Sequence, residues 1–298
     1  MTINGGYRYR EQLGSVAAKH STLSYLVERY THSDKATWQR RLARGEVLLD
    51  GQTAWGSEGL RAGQLLVWNR PPWREETVPR HYDIVYEDRA VLAVNKPSGL
   101  PTLPAGGFLD NTLLTVVQET FPEAKPLHRL GRGTSGLVLF AREPESARML
   151  SKTWREGIRK TYRALSQGEA AKDYYEISAS IGPVSHPNLD SVFAASRVGK
   201  PALSRARVLE RRKGITLFTV DLVTGRPHQI RIHLACIGHP LLGDPMYTYG
   251  GDLLETPSLP GDGGYLLHAE SLHLLHPKSG EKLELYASVP AELETLGS

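Results

Sequence analysis

Between Pro126 and Arg142 the chain reads PLHRLGRGTSGLVLFAR, and the residues able to do chemistry crowd its first half. Arg129 and Arg132 carry guanidinium groups suited to phosphate. Gly131, Gly133 and Gly136 permit positive φ and let a backbone approach a ligand closely. Together they predict a loop that handles an anion. Later, in RPHQIR, His228 and Arg231 stand three apart, so a helix there would turn both toward one cleft. The three glycines formally match G-x-G-x-x-G, the dinucleotide fingerprint, but that motif needs a strand before it and a helix after it. Here the clear strand comes afterwards, which argues against a nucleotide-dependent enzyme. No metal is expected either: His228 and His233 are five apart rather than the helical four, and there is no HExxH or cysteine cluster.

A buried strand has to deliver this loop, and Leu137 to Ala141 supplies one as a short unbroken apolar run bounded by turn residues. Before it, Asp83–Tyr86 and Ala90–Asn95 read as strands and Leu113–Phe121 as a helix. After it, a helix begins at Pro144, aligns Ala147, Leu150 and Trp154 on one face, and ends by Gly157. A strand through Tyr162 follows, then an irregular, insertion-like stretch from Ala170 to Val198, then strands over Ala202–Leu209 and Ile215–Val223. A further helix is expected from Pro227, with Ile230, Leu234 and Ile237 inward, and Tyr265–Tyr286 holds two more strands. Interleaved strands with a few helices give an α+β fold with a mixed, largely antiparallel sheet.

The 298 residues suffice for a substantial core, and their net charge of +4 is unevenly spread. Residues 1–74 hold eleven Lys or Arg against six Asp or Glu, so a basic N-terminal module precedes a nearly neutral body. In that module Leu23, Leu26 and Val27 fall at helical spacing. A second helix from Lys35 to Arg44 sets Trp38 and Leu42 on one face and Arg40, Arg41 and Arg44 on the other. Gly45 ends it, and EVLLDG then reads as a strand into an Asp-Gly turn, with Gln64–Trp68 as another strand. The proline-containing polar segment from Arg70, at residues 70–80, is expected to link this module to a second domain at 81–298. A single Cys236 allows no internal disulfide, and no apolar run approaches membrane-span length, so a cytoplasmic protein without a membrane partner is expected.

The segment HRLGRGTSG (His128 to Gly136) resembles the HRLDRxTSG signature of the RluA family of RNA pseudouridine synthases. The resemblance continues at VLAVNKPSGLP (Val91 to Pro101), KTYRAL (Lys160 to Leu165) and GKPALSRARVL (Gly199 to Leu209). It runs on through TGRPHQIRIHLACIGHPLLGDPMY (Thr224 to Tyr247) to LHAESLHLLHP (Leu267 to Pro277), all in family order. The N-terminal module is similar to the small αL RNA-binding domain that often precedes the family's catalytic domain.

This resemblance implies isomerisation of a uridine within ribosomal or transfer RNA, with no cofactor. It implies Tyr162 as the ring on which the extruded base stacks and Arg231 as the partner of a catalytic aspartate. It further implies RNA contacts from Arg129, Arg132, Thr134, Arg226, His228 and Gln229, with Arg40, Arg41 and Arg44 gripping from the N-terminal module. At the aspartate's own position stands Gly131, which has no side chain to act. Arg231 is therefore expected to lack its partner, leaving a wet pocket or one that holds an anion or another acid. Asp110, Asp190 and Asp244 are candidate acids from elsewhere, although Asp244 in its GDP segment suits a structural role. Two readings stay open: an RNA uridine isomerase with its acid re-sited, and a catalytically impaired, monomeric RNA-binding or RNA-folding protein that keeps the pocket.

Overall fold

A computed structural model describes residues 2–297 apart from 155, 156, 188 and 260; of Asp190 only the backbone is described. The chain forms two compact units, Met1–Glu76 and Thr77–Ser298.

In the first unit, strands β1 (Thr2–Ile3) and β2 (Tyr7–Gln12) precede helices α1 (Thr22–Arg29) and α2 (Lys35–Ala43). Ser21 and Ser24 close a reciprocal capping box at the start of α1, and the Asp34 carboxylate caps α2 by accepting from Thr37 N–H at 2.8 Å. Strands β3 (Val47–Leu49), β4 (Gln52–Thr53) and β5 (Leu65–Arg70) complete a sheet in the order β2-β5-β3-β4. Trp38 and Leu42, four apart on α2, are buried with Val47, Leu66 and Trp68 of this sheet.

The expected linker is in part structured. Arg70 ends β5 and lies 3.4 Å from the Trp73 ring centroid, and β6 (Arg74–Glu75) pairs with β1. Buried Glu75 accepts the Asn4 amide at 2.6 Å. A carboxylate withdrawn from water needs such a partner, so the chain as far as Glu75 is fastened to its own beginning.

The second unit begins with β7 (Asp83–Glu87), β8 (Val91–Lys96), α3 (Leu113–Gln118), β9 (Lys125–Pro126), β10 (Ser135–Ala141) and α4 (Pro144–Thr153). It continues with β11 (Arg159–Gln167), β12 (Tyr174–Ile177), β13 (Ile181–His186), β14 (Leu189–Ala195), β15 (Ser204–Arg212) and β16 (Ile215–Leu222). The last elements used below are α5 (Gln229–Cys236), β17 (Leu267–Leu275) and β18 (Lys282–Tyr286). A ten-stranded sheet runs β12-β15-β16-β11-β17-β10-β8-β7, with β18 beside β17 and β9 beside β10. Its pairings are antiparallel except for β10 with β17, so the sheet is mixed and largely antiparallel. Every residue of β10 is buried: Val138 and Phe140 enter one apolar cluster, and Leu137 and Leu139 another. That two-sided burial explains the unbroken apolar run.

Two expectations are corrected. The stretch from Ala170 to Val198 is not irregular, since it contains β12 and the β13–β14 hairpin; Gly182 and Pro183 inside β13 obscure the strand pattern. The helix expected from Pro227 starts at Gln229 instead, because His228 adopts a left-handed φ of 55° and serves as its N-cap.

The loop at 128–136 is fastened to the turn after β8. Lys96, fully buried, donates from Nζ to the carbonyls of Pro97 at 2.8 Å, Leu100 at 2.7 Å and Arg132 at 3.3 Å, and burial pushes its pKa down to about 7. Thr102 Oγ1 both donates to Leu130 O at 2.9 Å and accepts from Leu130 N–H at 3.1 Å. Of the three loop glycines, only Gly136 has a positive φ, 107°, and a Cβ there would sit 2.3 Å from Ala269 O on β17. Gly131 and Gly133 do not use the positive φ expected to be open to all three, although Gly133 does have backbone close by, with Gly263 Cα 3.0 Å from where its Cβ would be. Replacing Gly136 by Ala should therefore cost about 3 kcal/mol or more in chemical denaturation; a loss below about 1 kcal/mol would show that the strands are free to part there.

Candidate functional site

The sheet register brings the distant motifs together. Tyr162 on β11 pairs with Ala269 on β17, which in turn pairs with Gly136 where the loop enters β10. The register with β17 shifts between Thr161 and Tyr162, where β17 carries Glu270 as an extra residue, while β11 itself runs on regularly against β16. Tyr162 is only 8 % exposed, and burial raises its phenol to about 12, so it stays neutral.

A cavity of about 300 Å³ opens here, and its walls include His128, Arg129, Gly131, Thr134, Tyr162, Gly225, Arg226, His228, Gln229 and Arg231. Trp154, Lys160 and Tyr265 line it as well. Among the described residues that line it there is no Asp or Glu. Arg132 is not at the cavity: its Nε donates to Gly99 O at 3.1 Å and its guanidinium lies 4.8 Å from the Phe108 ring centroid. Gln229 reaches the wall with its amide already engaged, accepting from Thr224 Oγ1 at 2.7 Å and Arg226 N–H at 3.0 Å. Its Nε2 donates to Leu203 O and Ser204 Oγ at 2.9 and 2.8 Å, so Gln229 shapes the wall.

Arg231 is not left unpaired: of the expected outcomes, a wet pocket, an anion or another acid, the structure gives the last, from Asp244. Its Nε and Nη2 donate to the two oxygens of Asp244, each at 2.7 Å, and both side chains are withdrawn from water. Asp244 Oδ1 also accepts from the N–H groups of Met246 at 2.9 Å and Tyr247 at 3.1 Å. This acid stands behind Arg231, outside the cavity lining. The Asp110 side chain is not in that lining either, and that of Asp190 lies outside the described residues. Arg231 Nη1, by contrast, is buried with no hydrogen-bond acceptor.

The two histidines at the wall are neutral. His228 Nδ1 is 2.6 Å from Tyr247 Oη, which donates its one proton to Phe193 O at 2.6 Å. Nδ1 must then be the donor, and Nε2 keeps a lone pair. His128 Nε2 accepts from Leu139 N–H at 3.0 Å, and its ring stacks on Trp154 at 4.7 Å. Burial, helped by Arg231 beside His228 and by Lys160 beside His128, lowers both rings to about 3. Arg129, Lys160, Arg226 and Arg231 therefore make the cavity cationic.

The lining residues that escaped the sequence-based choice of site residues include Lys160, Trp154 and Tyr265. Lys160, two before Tyr162 on one strand face, carried an alternation signal in KTY. Trp154 does pack against the cluster that holds Leu150, but it follows the end of α4 at Thr153 and its indole also contacts His128 and Lys160, with Lys160 Nζ 4.5 Å from its centroid. Tyr265 follows a polar glycine-rich run with no local mark of a site.

The family model described as RNA pseudouridylate synthase matches residues 90–236. The chain is 42 % identical over 277 residues to an uncharacterized RNA pseudouridine synthase of Synechocystis sp., covering 92 % of this chain and 95 % of that protein. It belongs to the RluA family of RNA pseudouridine synthases. It is also 30 % identical to the ribosomal large subunit pseudouridine synthase D of Xanthomonas campestris, over 93 % of this chain and 87 % of that one. Among solved structures, human RNA pseudouridylate synthase domain containing 1 aligns with a TM-score of 0.58 at 26 % identity, covering 74 % of this chain and 89 % of that one.

Two outcomes check the site. Asp244→Asn removes the counter-charge of a buried guanidinium and should destabilise the fold by about 3–5 kcal/mol in denaturant titration; a change within about 1 kcal/mol would mean that water already serves Arg231. Histidines in the unfolded chain bind protons near pH 6.5, whereas these two do so only near 3 when folded. Their contribution to stability is complete above about pH 7 and is lost as pH falls from about 6.5 toward 3. His128→Gln, which keeps an acceptor for Leu139 N–H, should therefore lose less melting temperature than wild type between about pH 7 and pH 4. Equal losses would count against a neutral buried ring.

Proposed function

We propose that this chain recognises RNA by receiving an extruded uridine in the 300 Å³ cavity, and holds it there without the carboxylate that would isomerise it efficiently. The observation carrying this reading is the composition of the wall: cations, aromatic rings and neutral polar groups surround the space, with no acid among the described lining residues. Tyr162 offers a face for the base, while Arg129, Lys160 and Arg226 suit phosphate and Arg231 Nη1 awaits an acceptor. Proton removal during the rearrangement needs a base of suitable pKa within reach. Asp244 is held by four donors and lies outside the lining, and the histidines are too weakly basic. Ribosomal RNA is the favoured partner, on the likeness to a ribosomal large subunit enzyme along most of both chains, and a cytoplasmic setting belongs to the same proposal. That likeness also favours a second reading, an isomerase using altered chemistry.

Chemical mapping of pseudouridine in ribosomal RNA incubated with the protein separates the two. Wild type is expected to leave uridine unchanged, while Gly131→Asp produces detectable pseudouridine. Stoichiometric conversion by wild type would replace the binding reading with the isomerase one.

The first unit is proposed to add a sequence-independent grip. Arg40 on α2 and Arg44 at its C-cap are exposed, whereas Arg41 is turned onto Trp68, 4.1 Å from its centroid, and donates to Ser33 Oγ. Arg40→Ala with Arg44→Ala should reduce the slope of log affinity against log salt by about 1–2. An unchanged slope would remove α2 from the RNA contact.

A further inference from the structure

Resting on that reading of the cavity, we infer that Tyr265 supplies its nucleotide-facing hydroxyl in the space a side chain at residue 131 would enter, so that Gly131 and Tyr265 act as one coupled unit. The backbone at Gly131 does not require glycine, since its φ is not positive. What excludes a side chain is the phenol: a Cβ on Gly131 would lie 2.9 Å from Tyr265 Oη, and a Cβ on Gly133 would lie 3.0 Å from Tyr265 Cε1 and Cζ. The first contact requires an atom to shift, and the second, which Gly263 Cα shares at 3.0 Å, requires the neighbours to give slightly.

The ring has little freedom to retreat. Tyr265 is 4 % exposed, its Oη is 3.2 Å from Thr134 Oγ1, and the Arg231 guanidinium lies 4.2 Å from the ring centroid. Arg231 is itself held by Asp244 through two bonds. The phenol is thus clamped between a fixed cation and the loop, with its oxygen beside Gly131 on the cavity wall. A phenol and a threonine hydroxyl can each donate and accept, which suits the carbonyls and the N–H of a uracil ring or a ribose hydroxyl. Such a pair of hydroxyls recognises a nucleoside but replaces no carboxylate base. Restoring an acid at residue 131 therefore requires that Tyr265 give way.

A double-mutant cycle tests this on the full chain with Gly131→Ala, Tyr265→Phe and both together. The readouts are melting temperature and calorimetric affinity for uridine 5′-monophosphate. Gly131→Ala is expected to lower the melting temperature in the wild-type background and to cost little further in the Tyr265→Phe background, where the oxygen is gone. Tyr265→Phe alone should weaken nucleotide binding about three- to tenfold, the effect of one hydrogen bond. With Gly131→Asp, the yield of pseudouridine should rise when Tyr265→Phe is added. Equal thermal losses from Gly131→Ala in both backgrounds would overturn the steric coupling. Unchanged nucleotide affinity in Tyr265→Phe, or no nucleotide binding by wild type, would overturn the contact. RNA that fails to bind wild type would remove the functional reading, while the thermal cycle would still decide the coupling.

Discussion

The cavity depends on one buried ion pair. A guanidinium out of water is tolerated only with a partner of good geometry, and Asp244 gives Arg231 two parallel hydrogen bonds while also fixing the amides of Met246 and Tyr247. Tyr247 in turn orients His228, and Arg231 presents its face to Tyr265. Four side chains around the cavity thus take their positions from one carboxylate behind it. The pair's net contribution to stability is modest, but breaking it would leave a charge uncompensated and the wall without a template.

That arrangement also explains why a buried acid close to the cavity supplies no obvious base. This aspartate accepts from a guanidinium and two backbone amides and is not among the residues that line the cavity. The cavity keeps a cationic, aromatic and hydrogen-bonding lining, which matches an RNA nucleotide in charge and shape. On the proposed reading, recognition and proton transfer are physically separable demands: the groups suited to the first line the cavity, and no carboxylate is among the described residues that do.

Much of the second unit was legible because its strands are apolar or alternating runs and its loop carries dense motifs. The β10 run of Leu137, Val138, Leu139 and Phe140 announces a strand buried on both faces, and Trp38 with Leu42 announces the inward side of α2. Legibility failed where local chemistry was ambiguous. Pro227 looked like a helix start, yet His228 takes the left-handed turn ahead of Gln229. Gly182 and Pro183 hid a hairpin, and a proline-containing segment that read as a tether pairs with the N-terminus. Arg132 looked identical in kind to Arg129, and only the position of Gly99 O and Phe108 turned it away from the cavity.

By itself the sequence determined the class of fold, the family and the absence of a carboxylate at residue 131, because residue types and their spacing along the chain carry that information. Only the tertiary structure decided that Asp244 answers Arg231, that Trp154 joins the cavity wall, and that a phenol from Tyr265 stands beside Gly131. Those relations join residues far apart in the chain through sheet register and close packing, and no local pattern records which distant side chain will fill a given space.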